Sequence, residues 1–231
     1  NVLEQPNQTL LMQMPARIIL ARANLRMEAA DAEAVLAEAL SNAEKIEEPQ
    51  YLITLLIAQL ELGVLKDDTD AAAVALKRLA DMDATVFSPT KRGEYLFWAH
   101  QAQQPAEQSE VPVAFALFLA GDYGKAAQEF QAQGSNYLAG WSLAKLGTPE
   151  ALEQADACFE TCGAKAARQA LRLGVNSLST LNDVQARGPY RAAREHPYAL
   201  TAKEQIVLRM MVDGKTNTAI AEELSRSRRT I

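Results

Sequence analysis

Two cysteines, two histidines and a basic cluster near the C-terminal end are the side chains from which chemistry could be built. Cys158 and Cys162 stand four apart, so a helix would put both on one face. A zinc centre needs more ligands than these two, and His100 and His196 lie in distant segments. The spacing therefore predicts small buried thiols rather than a metal site. Neither histidine has a nucleophile beside it in a recognisable arrangement, so no catalytic residue is assigned; the chain reads as a non-enzyme that calls for no cofactor. Gly214-Lys215-Thr216 imitates the end of a phosphate-binding loop. Arg209 stands where that loop needs its first glycine, and a helix precedes it instead of a strand. Tyr95, Phe97 and Trp98 in one segment, and Tyr137 and Trp141 in another, could line a ligand pocket, although aromatics at helical spacing ordinarily fill a core.

Charge is distributed unevenly. The net charge is −6, yet residues 187–231 hold nine Lys/Arg against five Asp/Glu, and the first 186 residues carry −10. A basic tail on an acidic body is compatible with nucleic acid where a uniformly acidic chain is not.

The elements that must position these residues are helical. Among 231 residues there are 42 Ala and 29 Leu, both strong helix formers, and 48% of the chain is hydrophobic, which excludes a disordered polymer. The longest uncharged apolar run, residues 111–120, is half of what a bilayer-spanning helix needs, so no membrane partner is expected. No basic-then-apolar leader opens the sequence, and two cysteines cannot make a disulfide framework; a reducing cytoplasm is the default. The sequence begins at Asn1 and stops at Ile231 within a helical pattern, as a piece of a longer protein would.

Residues 1–186 read as a string of helix pairs. Pro15 is expected to open the first helix, with Ile18, Ile19, Leu20 and Leu25 as its apolar face. Asp31 would cap a second, carrying Val35, Leu36 and Leu40. A third would span residues 50–62 and stop at Gly63. A fourth holds Ala71, Val74, Ala75, Leu76 and Leu79, and Ser88-Pro89 starts a fifth. Residues 101–112, rich in Gln, Pro and Glu, predict a loop. In FALFLAGDYGKAAQEFQAQG (115–134) a Gly121-Asp122-Tyr123 turn is followed by small Ala126 and bulky Phe130, four apart. This resembles the turn of a tetratricopeptide repeat, and Gly147-Thr148-Pro149 with Ala155 and Phe159 echoes it. The two glycines are 26 residues apart, less than the roughly 34-residue period of that repeat, which implies an irregular array. Residues 187–198, with Gly188, Pro189, Pro197 and three arginines, read as a basic linker.

From Leu200 onward, Thr201 and Glu204 form a capping box, Ile206, Val207, Met210 and Met211 make an apolar face, and Gly214 is a stop. Thr216 caps a second short helix with Ala219, Ile220 and Leu224 inward, and Ser227 caps the start of a third. Two short helices, a tight turn and a third helix that begins with basic residues make a helix-turn-helix, whose last helix enters the DNA major groove. The segment resembles the LuxR-type (GerE-like) DNA-binding domain of bacterial transcription regulators. Leu200, Thr201, Glu204, Val207, Leu208, Gly214, Asn217, Ile220, Ala221, Leu224, Ser227, Thr230 and Ile231 carry the likeness, which spans about half of such a domain. Arg226 departs from it, at a position the family usually fills with an apolar residue.

The resemblance implies that Lys203, Thr216, Asn217, Arg228, Arg229 and Thr230 contact phosphates, which set affinity and register without reading sequence. It also implies a homodimer on DNA. Upstream, GEYLFWA (93–99), LAGDYGKAAQEF (119–130) and ALEQADACFETCGAKAA (151–167) resemble the helical part of the large ATP-binding LuxR regulators, where such an array is thought to sense a protein or small-molecule effector. The expected whole is an all-α chain: an irregular tetratricopeptide-like helical array (1–186), a basic linker (187–198) and a truncated helix-turn-helix (199–231). The rival reading is a protein-interaction scaffold whose last helices merely cap the array. An end cap needs a polar outer face but no basic excess, so the charge favours DNA.

Overall fold

The structure, a computed structural model, describes residues 9–104 and 110–174. These residues fall in the first of two units, 1–179 and 180–231, into which the chain divides. They form ten α-helices and no strand: α1 Leu10–Met27, α2 Ala32–Glu44, α3 Pro49–Lys66, α4 Thr69–Ala80, α5 Pro89–Gln101, α6 Val113–Leu119, α7 Tyr123–Ala132, α8 Asn136–Ala144, α9 Pro149–Thr161 and α10 Lys165–Leu173. Most connections are short, so consecutive helices run back against one another. The order of packing is α1 on α2, α2 on α3, α3 on α4 and on α5, and then stepwise from α5 to α10. The array also closes, because α10 packs on α1 and α3 as well as on α9.

Side-chain caps open four of the ten helices, α1, α4, α5 and α9. Ser88 and Thr148 each stand one residue before a proline and accept the backbone N–H of Lys91 (3.3 Å) and Ala151 (3.2 Å). Proline at the first helical position loses only a donor that has no intrahelical partner. Asp68 caps α4 through Ala71 in the same way, at 2.9 Å.

Several expectations are corrected. Pro15 lies inside α1, which starts earlier because Thr9 supplies the cap, accepting from the Met12 N–H, and because Met14 is fully buried. Ile19 (69% exposed) and Leu20 face outward, and the inward face of α1 is Met14, Ala21 and Leu25. Asp31 sits at the cap position of α2, but its carboxylate accepts from the Asn24 amide at 3.1 Å instead of a helix N–H. Gly63 does not stop α3. The helix runs one turn further to a left-handed cap at Asp67, and Gly63 is where α4 comes closest: a Cβ there would lie 2.8 Å from the Ala72 nitrogen. In α4, Ala72, Ala75 and Leu79 are buried while Val74 points out.

The repeat-like turn behaves as its residue types require. Gly121, at φ +82, occupies the left-handed position between α6 and α7. Ala126 and Phe130 are both buried, the small residue letting α7 approach and the aromatic filling the groove. Ala155 and Phe159 repeat the arrangement on α9, with the Phe159 ring packed where Gly140 of α8 has no side chain. Phe97, Trp98, Phe118, Phe130, Tyr137, Trp141 and Phe159 form a continuous buried aromatic cluster with ring centroids 4.1–6.3 Å apart.

Candidate functional site

The aromatic residues considered as pocket walls are core instead: Phe97, Trp98, Tyr137 and Trp141 are all buried and packed on one another, and Tyr95 is half-buried against Phe87. Cys158 is buried, but Cys162 is exposed at the C-cap of α9, so only one of the two thiols meets the expectation. Among the described residues no group of three or more His, Cys, Asp or Glu could hold a metal ion.

The polar chemistry that the array does contain is internal, and it was not anticipated from spacing. Glu61 of α3 is fully buried and accepts two hydrogen bonds from the Arg26 guanidinium of α1, at 2.8 and 3.0 Å. The same guanidinium carbon lies 3.9 Å from the centroid of the Tyr137 ring of α8, within cation–π range. Burial opposes the Arg26 charge, and the Glu61 carboxylate more than offsets it, so the guanidinium is held more firmly protonated than usual. The Tyr137 hydroxyl is pushed well up, first by burial and then by Glu61. Nearby, Glu94 of α5 pairs with Arg22 (3.5 Å) and Lys91 (2.8 Å). Burial would raise its pKa; the two cations outweigh burial and bring it below the ordinary carboxylate value. These pairs join α1, α3, α5 and α8. A bidentate, desolvated Arg–carboxylate pair fixes geometry strongly, which gives the cluster a role in setting how α1, α3, α5 and α8 meet.

One signal for this cluster was present in the sequence. Within ITLLIAQLELGVL (53–65), a mostly apolar stretch of α3 that is buried almost all round, Glu61 is the single charged residue. A lone carboxylate in such a run needs a partner, but nothing local identifies Arg26, 35 positions earlier.

Lys203, Thr216, Asn217, Arg228, Arg229 and Thr230, together with His196, Gly214 and Arg226, lie outside the described residues, as do the linker and the helix-turn-helix. The comparison with known proteins reaches those from residue 198 onward. Residues 198–231 match the family model of bacterial regulatory proteins, luxR family. The match begins three residues before Thr201 of the capping box and includes all six residues expected to contact phosphates. No curated protein and no solved structure matches the chain. The match over 198–231 supports DNA-binding regulation in general terms, and the helical array is characterised by its own geometry. No described helix is long and apolar enough to cross a membrane.

Proposed function

We propose that the chain belongs to a bacterial, cytoplasmic transcription regulator that binds promoter DNA through residues 199–231 and uses the array as its sensing part. The observation that carries this reading is the luxR-family match over 198–231, which lies within the C-terminal 45 residues that carry a net charge of +4. Lys203, Arg228 and Arg229 are assigned to phosphate neutralisation, and Thr216, Asn217 and Thr230 to neutral hydrogen bonds that fix register on the duplex. Binding as a homodimer would place two such segments on half-sites one helical turn apart. The array is tetratricopeptide-like in its use of small/aromatic pairs at helix crossings, and it would be the part that meets a protein or small-molecule effector.

The test is fluorescence anisotropy of labelled duplex DNA titrated with the full-length protein and with its Arg228→Ala/Arg229→Ala variant. Loss of two phosphate contacts should weaken binding to every sequence by about tenfold or more at moderate salt. Equal affinity of variant and parent would remove both arginines from the interface. No binding at low salt by folded protein would favour the scaffold instead.

A further inference from the structure

The outward face of α1 is apolar. The exposed side chains of this helix are Leu11, Met12, Pro15, Ile19, Leu20 and Met27, and none of them is polar. A helix that is apolar on its outer as well as its inner side is ordinarily covered on both. α1 is also the first of the described helices, and the outer face of a terminal helix in a stacked array is ordinarily polar. The three charged side chains of α1 are engaged elsewhere. Arg17, Arg22 and Arg26 are each drawn to a carboxylate on another helix: Glu38 of α2, Glu94 of α5 and Glu61 of α3.

The order of residues along this face points to what covers it. At about 3.6 residues per turn, Met12, Ala16, Ile19, Leu20, Ala23 and Met27 fall within a stripe about 100° wide. The stripe reads nearly the same in both directions about the point between Ile19 and Leu20. Ala16 stands three residues before Ile19 and Ala23 three after Leu20; Met12 stands seven before Ile19 and Met27 seven after Leu20. A two-fold interface needs this property, because residue i meets residue j while j meets i.

We propose that α1 pairs antiparallel with α1 of a second copy of this chain. Met12 then faces the partner's Met27, Ala16 the partner's Ala23, and Ile19 the partner's Leu20. Side-chain size at the contact sets the distance between helix axes, so the two alanine crossings let the helices come close. The flexible methionines fill the gaps at either end. An uncharged stripe meets its own copy without like-charge conflict. A lipid surface fits less well, because helices that lie on membranes carry free Lys or Arg beside the apolar face, whereas the arginines of α1 are paired. Eighteen residues make a helix about 27 Å long and about 10 Å across, so its outward half presents about 400 Å². That is about half of the roughly 800 Å² per partner of a standard interface, which predicts a dimer that dissociates in the micromolar range. The inference goes beyond DNA binding and does not rest on it, because association is measured without DNA.

The experiment is sedimentation equilibrium of the full-length protein, with concentration raised through the micromolar range. A reversible monomer–dimer equilibrium is expected. Ile19→Glu, at a position 69% exposed, should weaken association at least tenfold while circular dichroism and the thermal midpoint stay unchanged. The register is tested in a Cys162→Ser background, which removes the exposed native thiol. There, an equimolar mixture of Met12→Cys and Met27→Cys proteins should form the mixed disulfide in at least fivefold excess over either homodisulfide. Monomer at every concentration, undiminished association of folded Ile19→Glu protein, or an excess of homodisulfides would each overturn the inference. Undiminished association would mean that the copies meet elsewhere and another segment covers α1; homodisulfides would mean parallel pairing. If Ile19→Glu fails to fold, the disulfide mixture decides alone.

Discussion

The array and the segment that follows it differ in charge and in what makes each intelligible. Residues 1–186 carry a net charge of −10, and the array within them is defined by packing: ten helices, an aromatic cluster and a buried Arg26–Glu61 pair. Residues 187–231 carry +4, and most of them match a family of bacterial regulators. An acidic surface repels the phosphate backbone and a basic one attracts it, so the two regions are suited to separate tasks. The comparison teaches that stability and DNA affinity should be separable by mutation. Changes inside the array should move unfolding, and changes in the basic segment should move binding.

The largest effect is expected at the ionic cluster. Replacing Glu61 with Ala leaves the Arg26 guanidinium against Tyr137 without its carboxylate, at a cost of about 3–5 kcal/mol. Urea unfolding followed by far-ultraviolet circular dichroism and by the fluorescence of Trp98 and Trp141 should show both transitions shifted together. The pair joins α1 to α3, whereas the tryptophans sit in α5 and α8, so a shift in only one signal would mean that the closed array is not one cooperative unit. Replacing both partners, Arg26→Met with Glu61→Leu, should recover most of the loss. Gly63→Ala comes next. Its Cβ would meet the Ala72 backbone 2.8 Å away, and neither helix can yield freely, so a cost of about 1–3 kcal/mol is expected in the same assay.

Arg228→Ala/Arg229→Ala sharpens the comparison from the other side: the thermal midpoint of the array should not move while DNA affinity falls. A shared loss of stability and binding would merge the two regions into one.

The last effect is electrostatic and confined to alkaline pH. Burial pushes the Lys145 ammonium down to about 8, whereas an unfolded lysine titrates near about 10.4. Between these values the unfolded chain binds more protons than the folded one, so Lys145 makes stability rise as pH climbs from about 8 to about 10.4. The stability of the parent relative to Lys145→Met should therefore increase over that range. A constant difference would show that Lys145 is not desolvated.

What could be read from the sequence is what depends on neighbours in the chain. Ser88-Pro89 and Thr148-Pro149 mark helix starts because a hydroxyl and a proline suit the first turn by themselves. Ala126 with Phe130 signals a close helix crossing because the two are one turn apart on α7. Gly63 misled because glycine serves both to end a helix and to let another approach, and only the position of Ala72 decides between them. Pro15 misled for a similar reason: proline is best at a helix start, yet the Thr9 cap and the buried Met14 carry α1 past it. The Arg26–Glu61 pair and the return of α10 onto α1 and α3 depend on contacts remote in sequence, which no local pattern encodes. The residues proposed to contact phosphates are legible through the family pattern alone.

The central claim is that DNA affinity in this protein is electrostatic and resides in the basic segment. The most direct measurement is the affinity of the full-length protein for duplex DNA as salt is raised. With Lys203, Arg228 and Arg229 each neutralising a phosphate, the logarithm of affinity should fall against that of salt with a slope of about −3 per bound protomer. The double arginine variant should reduce that slope by about 2. Affinity independent of salt, or no binding at low salt by folded protein, would contradict the account.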